Sequence, residues 1–116
     1  MKRQIVFSET AFEAAAEIRL RLRARSPRTA VEWSETLRVT QAGVLDFPFS
    51  HPVSIVSGDL EIRRVRIGRS AYFLFYFVYP SVDFNTGEGL DIIHFLGCRH
   101  ERQGEPDWEA RDPFRV

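Results

Sequence analysis

The sequence predicts an α+β fold of order β-α-α-β-β-β, an antiparallel sheet with a two-helix hairpin packed on one face. Three observations predict it. Apolar residues recur at helical spacing in two stretches between Ala11 and Val44. Ser26-Pro27 separates those stretches and leaves no room for a long link. From Leu60 onward the period becomes strand-like, with Gly68 and Pro80–Gly89 as punctuation. Three consecutive strands on short links form a meander, and the helix pair must bury its apolar stripe against it.

The elements follow in order. Gln4–Phe7 reads as a short strand with Ile5 and Phe7 on one face. Ser8 or Thr10 offers a helix N-cap, and Thr10-x-x-Glu13 has capping-box spacing. Ala11, Ala15, Ile18 and Leu22 then form a narrow stripe for burial. Ser26 is the N-cap and Pro27 the first residue of the second helix, whose stripe is Ala30, Trp33, Leu37 and Val44. That helix ends near Phe47-Pro48, and residues 48–59 read as a loop. Leu60–Ile67, Ala71–Tyr79 and Leu90–Leu96 are the remaining strands. The polar tail from Arg102, with Trp108 and Phe114, is peripheral or ordered by a partner. The division is therefore a domain over residues 1–101 and a tail over 102–116.

Composition bounds the function. The chain has 116 residues, 44% hydrophobic and 28% charged, which suits one ordinary globular domain. Sixteen basic residues balance sixteen acidic ones, yet residues 1–69 carry a net +4 and residues 70–116 a net −4. Lys2 is the only lysine. The single cysteine, Cys98, excludes an internal disulfide and a multi-thiolate zinc site and fits a cytoplasmic protein. The most apolar run, Ala71–Tyr79, is far short of the ~20 residues of a membrane-spanning helix, so no membrane is expected. His51, His94 and His100 lack metal-ligand spacing, and no phosphate loop or nucleophile elbow occurs, so neither metal nor cofactor is expected.

Ile5-Val6-Phe7-Ser8 leading into a helix, the Ser26-Pro27 break, Ala30 and Trp33, and Phe47-Pro48 resemble the N-terminal half of the RelE/ParE toxin superfamily. An Arg-rich strand ending in Gly-Arg (Arg63 to Arg69), the Tyr72-Phe73-Leu74-Phe75-Tyr76 strand, and Ile92–Leu96 followed by Gly97-Cys98-Arg99-His100 extend the likeness over residues 4–101. The resemblance implies a toxin of a type II toxin–antitoxin pair, of the kind tied to plasmid stabilisation, neutralised by a cognate antitoxin. RelE-like members cleave mRNA at the ribosome with Arg, Lys and often a terminal Tyr or His. ParE-like members lack that set and poison DNA gyrase. With Lys2 alone and all three tyrosines in one strand, the chain resembles the ParE branch, a gyrase inhibitor rather than an enzyme. It departs from both branches in the loop 80–89, in Cys98 where Gly is usual and in Gly97 where His is common. A third reading is a non-toxic relative serving as a binding or dimerisation module.

If the chain is a ribonuclease, Arg66, Arg69 and Arg99 are the candidate phosphate-binding cations, and His94 or His100, with Glu101 nearby, the proton-transfer groups. The opposing reading pairs these arginines with carboxylates on a solvated sheet face. Arg19 and Arg23 share a side of the first helix, as a solvated face or as an electropositive patch for an acidic antitoxin segment. In the strand Ala71–Tyr79, Tyr72, Leu74, Tyr76 and Val78 are expected to face the helices. Phe73, Phe75 and Phe77 then line the opposite face as an apolar patch that needs a cover: the antitoxin, a second copy, or the tail. On the partner reading, Phe75→Asp weakens binding more than it unfolds the domain.

Overall fold

In the computed structural model, which describes residues 2–103, the order is β1 (Lys2–Phe7), α1 (Glu9–Arg25), α2 (Pro27–Asp46), β2 (Val53–Ser57), β3 (Leu60–Arg66), β4 (Tyr72–Val82), β5 (Gly89–His100) and a 3₁₀ turn, Glu101–Gln103. The α+β class and the hairpin on one face are as expected. Three points differ. A fifth strand, β2, lies inside the segment read as a loop. The sheet is mixed, in the order β1-β5-β4-β3-β2, with β1 parallel to β5 and every other pair antiparallel. The long strands β4 and β5 leave only residues 83–88 as their link, where 80–89 was expected. Turn-forming residues hid β2, because Ser54, Ser57 and Gly58 flank only three apolar residues, and β2 owes its state to pairing with β3.

The helix ends are written in the sequence. Ser8 Oγ accepts from Ala11 N at 3.0 Å, and the same hydroxyl donates to Leu96 O at 3.3 Å, so one residue caps α1 and ties it to β5. Thr10 lies inside the helix, so the capping box at Thr10-x-x-Glu13 does not form. Ser26 ends α1 by donating its N–H to Leu22 O at 2.8 Å and caps α2 by accepting from Thr29 N at 3.4 Å. Arg3 closes the far end of α2, donating to Leu45 O and Asp46 O at 3.1 and 3.0 Å, where free carbonyls and the helix dipole favour a cation.

Ala11, Ala15, Ile18, Trp33, Leu37 and Val44 bury against Leu74, Tyr76, Ile93, Phe95 and Cys98 on one face of the sheet. The opposite face has its own cluster of Ile62, Phe75, Phe77 and Leu96, with Ile55, Leu60 and Phe73 packed against it. The expected division of β4 residues between the two faces therefore holds, but the expected exposure does not. Phe75 and Phe77 are 2% and 1% exposed, so they form core in this chain and not an open groove for a partner. Part of the reason is β2, whose Ile55 joins Ile62 of β3 on this side. The candidate covering residues Trp108 and Phe114 lie outside the described residues.

Gly68 turns β3 into β4 with φ of +57°, and a Cβ there would collide with Thr36 Cγ2 of α2. Both the left-handed backbone and the close approach require glycine. Gly68→Ala is expected to cost about 1–3 kcal/mol, read as a lower urea midpoint at unchanged slope. An unchanged midpoint would mean that α2 and the turn separate freely.

Candidate functional site

The candidate residues are distributed by one irregularity in the β4–β5 ladder. Phe75 lies opposite Gly97 and Tyr76 opposite Phe95, which leaves Leu96 as an extra residue on β5. Cross-strand partners share a face. His94 therefore sits with Phe77 and Arg99 with Phe73 on the second face, while Cys98 and His100 join Leu74 and Tyr72 on the helix face. A regular ladder continued from Phe95 would have placed Arg99 toward the helices and His100 with the phenylalanines. Gly97 inside a strand is the one local hint of this bulge.

On the second face the structure gathers Arg64, Arg66 and Arg99 around Phe73. The guanidinium carbons of Arg64 and Arg66 lie 4.8 and 4.5 Å from the Phe73 ring centroid, within cation–π range. Arg66 also donates to Ser70 O at 2.9 Å and to Glu101 Oε2 at 3.3 Å. Arg99 donates to Gln103 O at 3.3 Å, and its buried Nε has no hydrogen-bond partner among the described residues. Arg64 was missed by the sequence reading. Its signal was its i+2 spacing to Arg66, which puts both on one side of a strand. Arg69 stands apart, exposed in the β3–β4 turn.

Of the proton-transfer candidates only Glu101 reaches this group, and there it is paired with Arg66. His94 is 8% exposed and stacked on Phe77 at 5.0 Å with 7° between the planes. His100 stands edge-on to Tyr72 at 5.1 Å on the other face, and its Nδ1 accepts from Arg102 N at 3.1 Å. His51 is half-buried against Tyr76 at 6.2 Å. Its pKa is held below the usual histidine value by burial first and by the Arg63 charge second. Arg63 anchors that loop by donating to His51 O at 2.6 Å and Phe49 O at 3.2 Å. Among the described residues no group of His, Cys, Asp and Glu is placed to hold a metal ion.

Arg19 and Arg23 lie on the outward side of the helix hairpin. They line an open groove of about 950 Å³ with Phe12, Leu20, Val31 and Arg38 among its walls. The apolar part of this surface was missed, although Phe12, Ala16 and Leu20 at steps of four are a second stripe legible in the sequence.

Cys98 is buried, with its thiol pushed up from 9.0 to about 12 by burial, which the Arg19 charge only partly opposes. Tyr76, whose hydroxyl donates to Pro48 O at 2.7 Å, is pushed up from 10.0 to about 12 by burial, with Arg63 opposing. As pH rises the unfolded chain loses these protons before the folded one does. Stability present in full below about pH 9 is thus expected to fall between about pH 9 and 12, by up to ~1.4 kcal/mol per pH unit for each group. Thermal melts of wild type, Cys98→Ala and Tyr76→Phe across this window check it: the variants should show the shallower fall, and equal slopes would rule out these two groups as its source.

Compared with known proteins, the chain matches no family model and no curated protein sequence. No helix among the described residues is long and apolar enough to cross a membrane.

Proposed function

We propose that this chain is a ParE-like toxin of a type II toxin–antitoxin pair, which inhibits DNA gyrase by protein contact and is neutralised by a cognate antitoxin. The resemblance described above carries the class. The choice of branch rests on one observation: neither histidine stands free beside the arginines, because His100 lies on the opposite face of the sheet and His94, on their own face, is buried flat against Phe77. Metal-free RNA cleavage needs a base near the 2′-hydroxyl and an acid near the leaving oxygen, both within about 3 Å of the reacting atoms. Here Arg66 and Arg99 flank Phe73 on one face, His100 sits on the other, and His94 is packed flat against Phe77. A protein-contact mechanism needs no such constellation. It needs exposed surface, and Phe12, Leu20 and Val31 on the hairpin provide it.

The test is a pair of assays on purified chain freed of any partner. Gyrase supercoiling is expected to be inhibited, and mRNA in a translating extract is expected to stay intact. Codon-resolved cleavage in the extract would instead establish the RelE-like ribonuclease. Inactivity in both, with normal growth on induction, would establish a non-toxic binding module.

A further inference from the structure

The helix hairpin has two apolar sides, and among the described residues only one of them is packed. The inner stripe of Ala11, Ala15, Ile18, Trp33 and Leu37 packs on the sheet. The outer groove has a floor of Phe12, Leu20 and Val31, which are 66%, 65% and 69% exposed. Large apolar side chains gathered at such exposure mark a contact surface. Along its rim stand Arg19, Arg23 and Arg38 against the single carboxylate of Glu35, which Arg38 already engages. Elsewhere on the hairpin, Arg21 pairs with Glu17 and Arg28 with Glu32, each at 3.0 Å, while Arg25 at the end of α1 stands away from the groove without an ion pair among the described residues. Arg19 and Arg23 have no ion pair among the described residues, and at i and i+4 they form one ridge above the floor.

We propose that this groove receives an amphipathic helix from another protein, apolar on the side laid into the groove and acidic along its flank. From Phe12 to Arg23 the groove is about 16 Å long at 1.5 Å per residue, enough for three turns of a guest helix. A helix in a groove supplies anchors at i, i+3 or i+4 and i+7, which suits a floor of separated large side chains. The charge of the rim decides the flank. It also decides against a second copy of this chain, because a two-fold contact through the groove joins two arginine-rich rims that offer each other only Glu35 as a carboxylate. Nucleic acid fits poorly, since its phosphates would find the arginines only by laying a polar backbone over Phe12, Leu20 and Val31. The inference rests on the toxin reading for the source of the partner, the neutralising antitoxin, and on the groove alone for the partner's chemistry.

The probe is a labelled 21-residue helical peptide with leucines on one side and glutamates on both flanks, beside the same peptide carrying lysines in place of glutamates. Fluorescence anisotropy with the full chain is expected to show the acidic peptide binding at least tenfold more tightly than the basic one. Leu20→Glu is expected to weaken the acidic peptide at least tenfold without moving the melting temperature, because Leu20 is exposed. Arg19→Glu with Arg23→Glu is expected to invert the preference between the peptides, a result that unfolding cannot imitate. Absence of binding by the acidic peptide, equal binding of both peptides, or insensitivity to both variants would overturn the proposal. So would wild-type dimers in sedimentation that Leu20→Glu converts to monomers, or retention of the chain on anionic vesicles that the same variant abolishes. Gyrase inhibition is read in parallel on wild type. Peptide binding without inhibition sinks the gyrase-inhibitor reading and keeps the groove, and inhibition without peptide binding does the reverse.

Discussion

Phe75→Asp unfolds this domain. Phe75 is 2% exposed in a cluster with Ile62, Phe77 and Leu96 on the sheet face away from the helices. Removing a buried phenylalanine side chain costs about 3–5 kcal/mol in lost contacts and cavity. A carboxylate in its place adds the penalty of burying a charge, which Arg64, the cross-strand partner of Phe75 already stacked on Phe73, offsets only in part. Domains of this size hold about 5–15 kcal/mol in total, so the sum consumes most or all of it. The expected result is loss of the cooperative melt or a midpoint lowered by tens of degrees, read by circular dichroism. The conservative variant Phe75→Leu should retain a cooperative melt, a few degrees lower. A Phe75→Asp protein that melts like wild type but fails to bind a partner would restore the view of this row as a docking groove.

Saturating chain is expected to reduce the rate of gyrase supercoiling more than about tenfold, and Arg66→Ala with Arg99→Ala is expected to leave that inhibition within a factor of about two. The double variant separates the two toxin mechanisms, because a ribonuclease loses its phosphate-binding cations with these side chains. Some stability will be lost: Arg66 ties the β3–β4 turn to Glu101 and stacks on Phe73, and Arg99 holds Gln103. Exposed ion pairs of this kind contribute about 0–1 kcal/mol, too little to unfold the chain. Inhibition that disappears while the melt stays cooperative would put the gyrase contact on this face of the sheet. Translation blocked by wild type and restored by the double variant would reverse the ranking of the two branches.

Much of the architecture is legible residue by residue. The stripe Ala11, Ala15, Ile18 and its counterpart Ala30, Trp33, Leu37, Val44 fix which side of each helix is buried, since a 3.6-residue period is a local property. Ser26-Pro27 fixes the corner, because a cap and a proline act within one turn. Alternation in β4 fixes that Leu74 and Tyr76 face the helices and that Phe75 and Phe77 do not. Alternation says nothing of how deeply each face is covered, and the expected exposure of the phenylalanines failed there.

The hairpin, the two-sided strand and the supply of arginines are therefore local properties, readable along the chain. Tertiary structure alone decided where those arginines meet and what stands beside them. Leu96, the extra residue opposite Phe75 and Tyr76, shifts the last turn of β5 so that Arg99 joins Arg64 and Arg66 around Phe73 while His100 goes to the helix side. Pairing across strands sets that register, as it sets the parallel β1–β5 contact and the existence of β2. The β1 and β5 partners lie at opposite ends of the described chain, so no local pattern encodes their pairing, whereas β2 meets β3 across Gly58 and Asp59 alone.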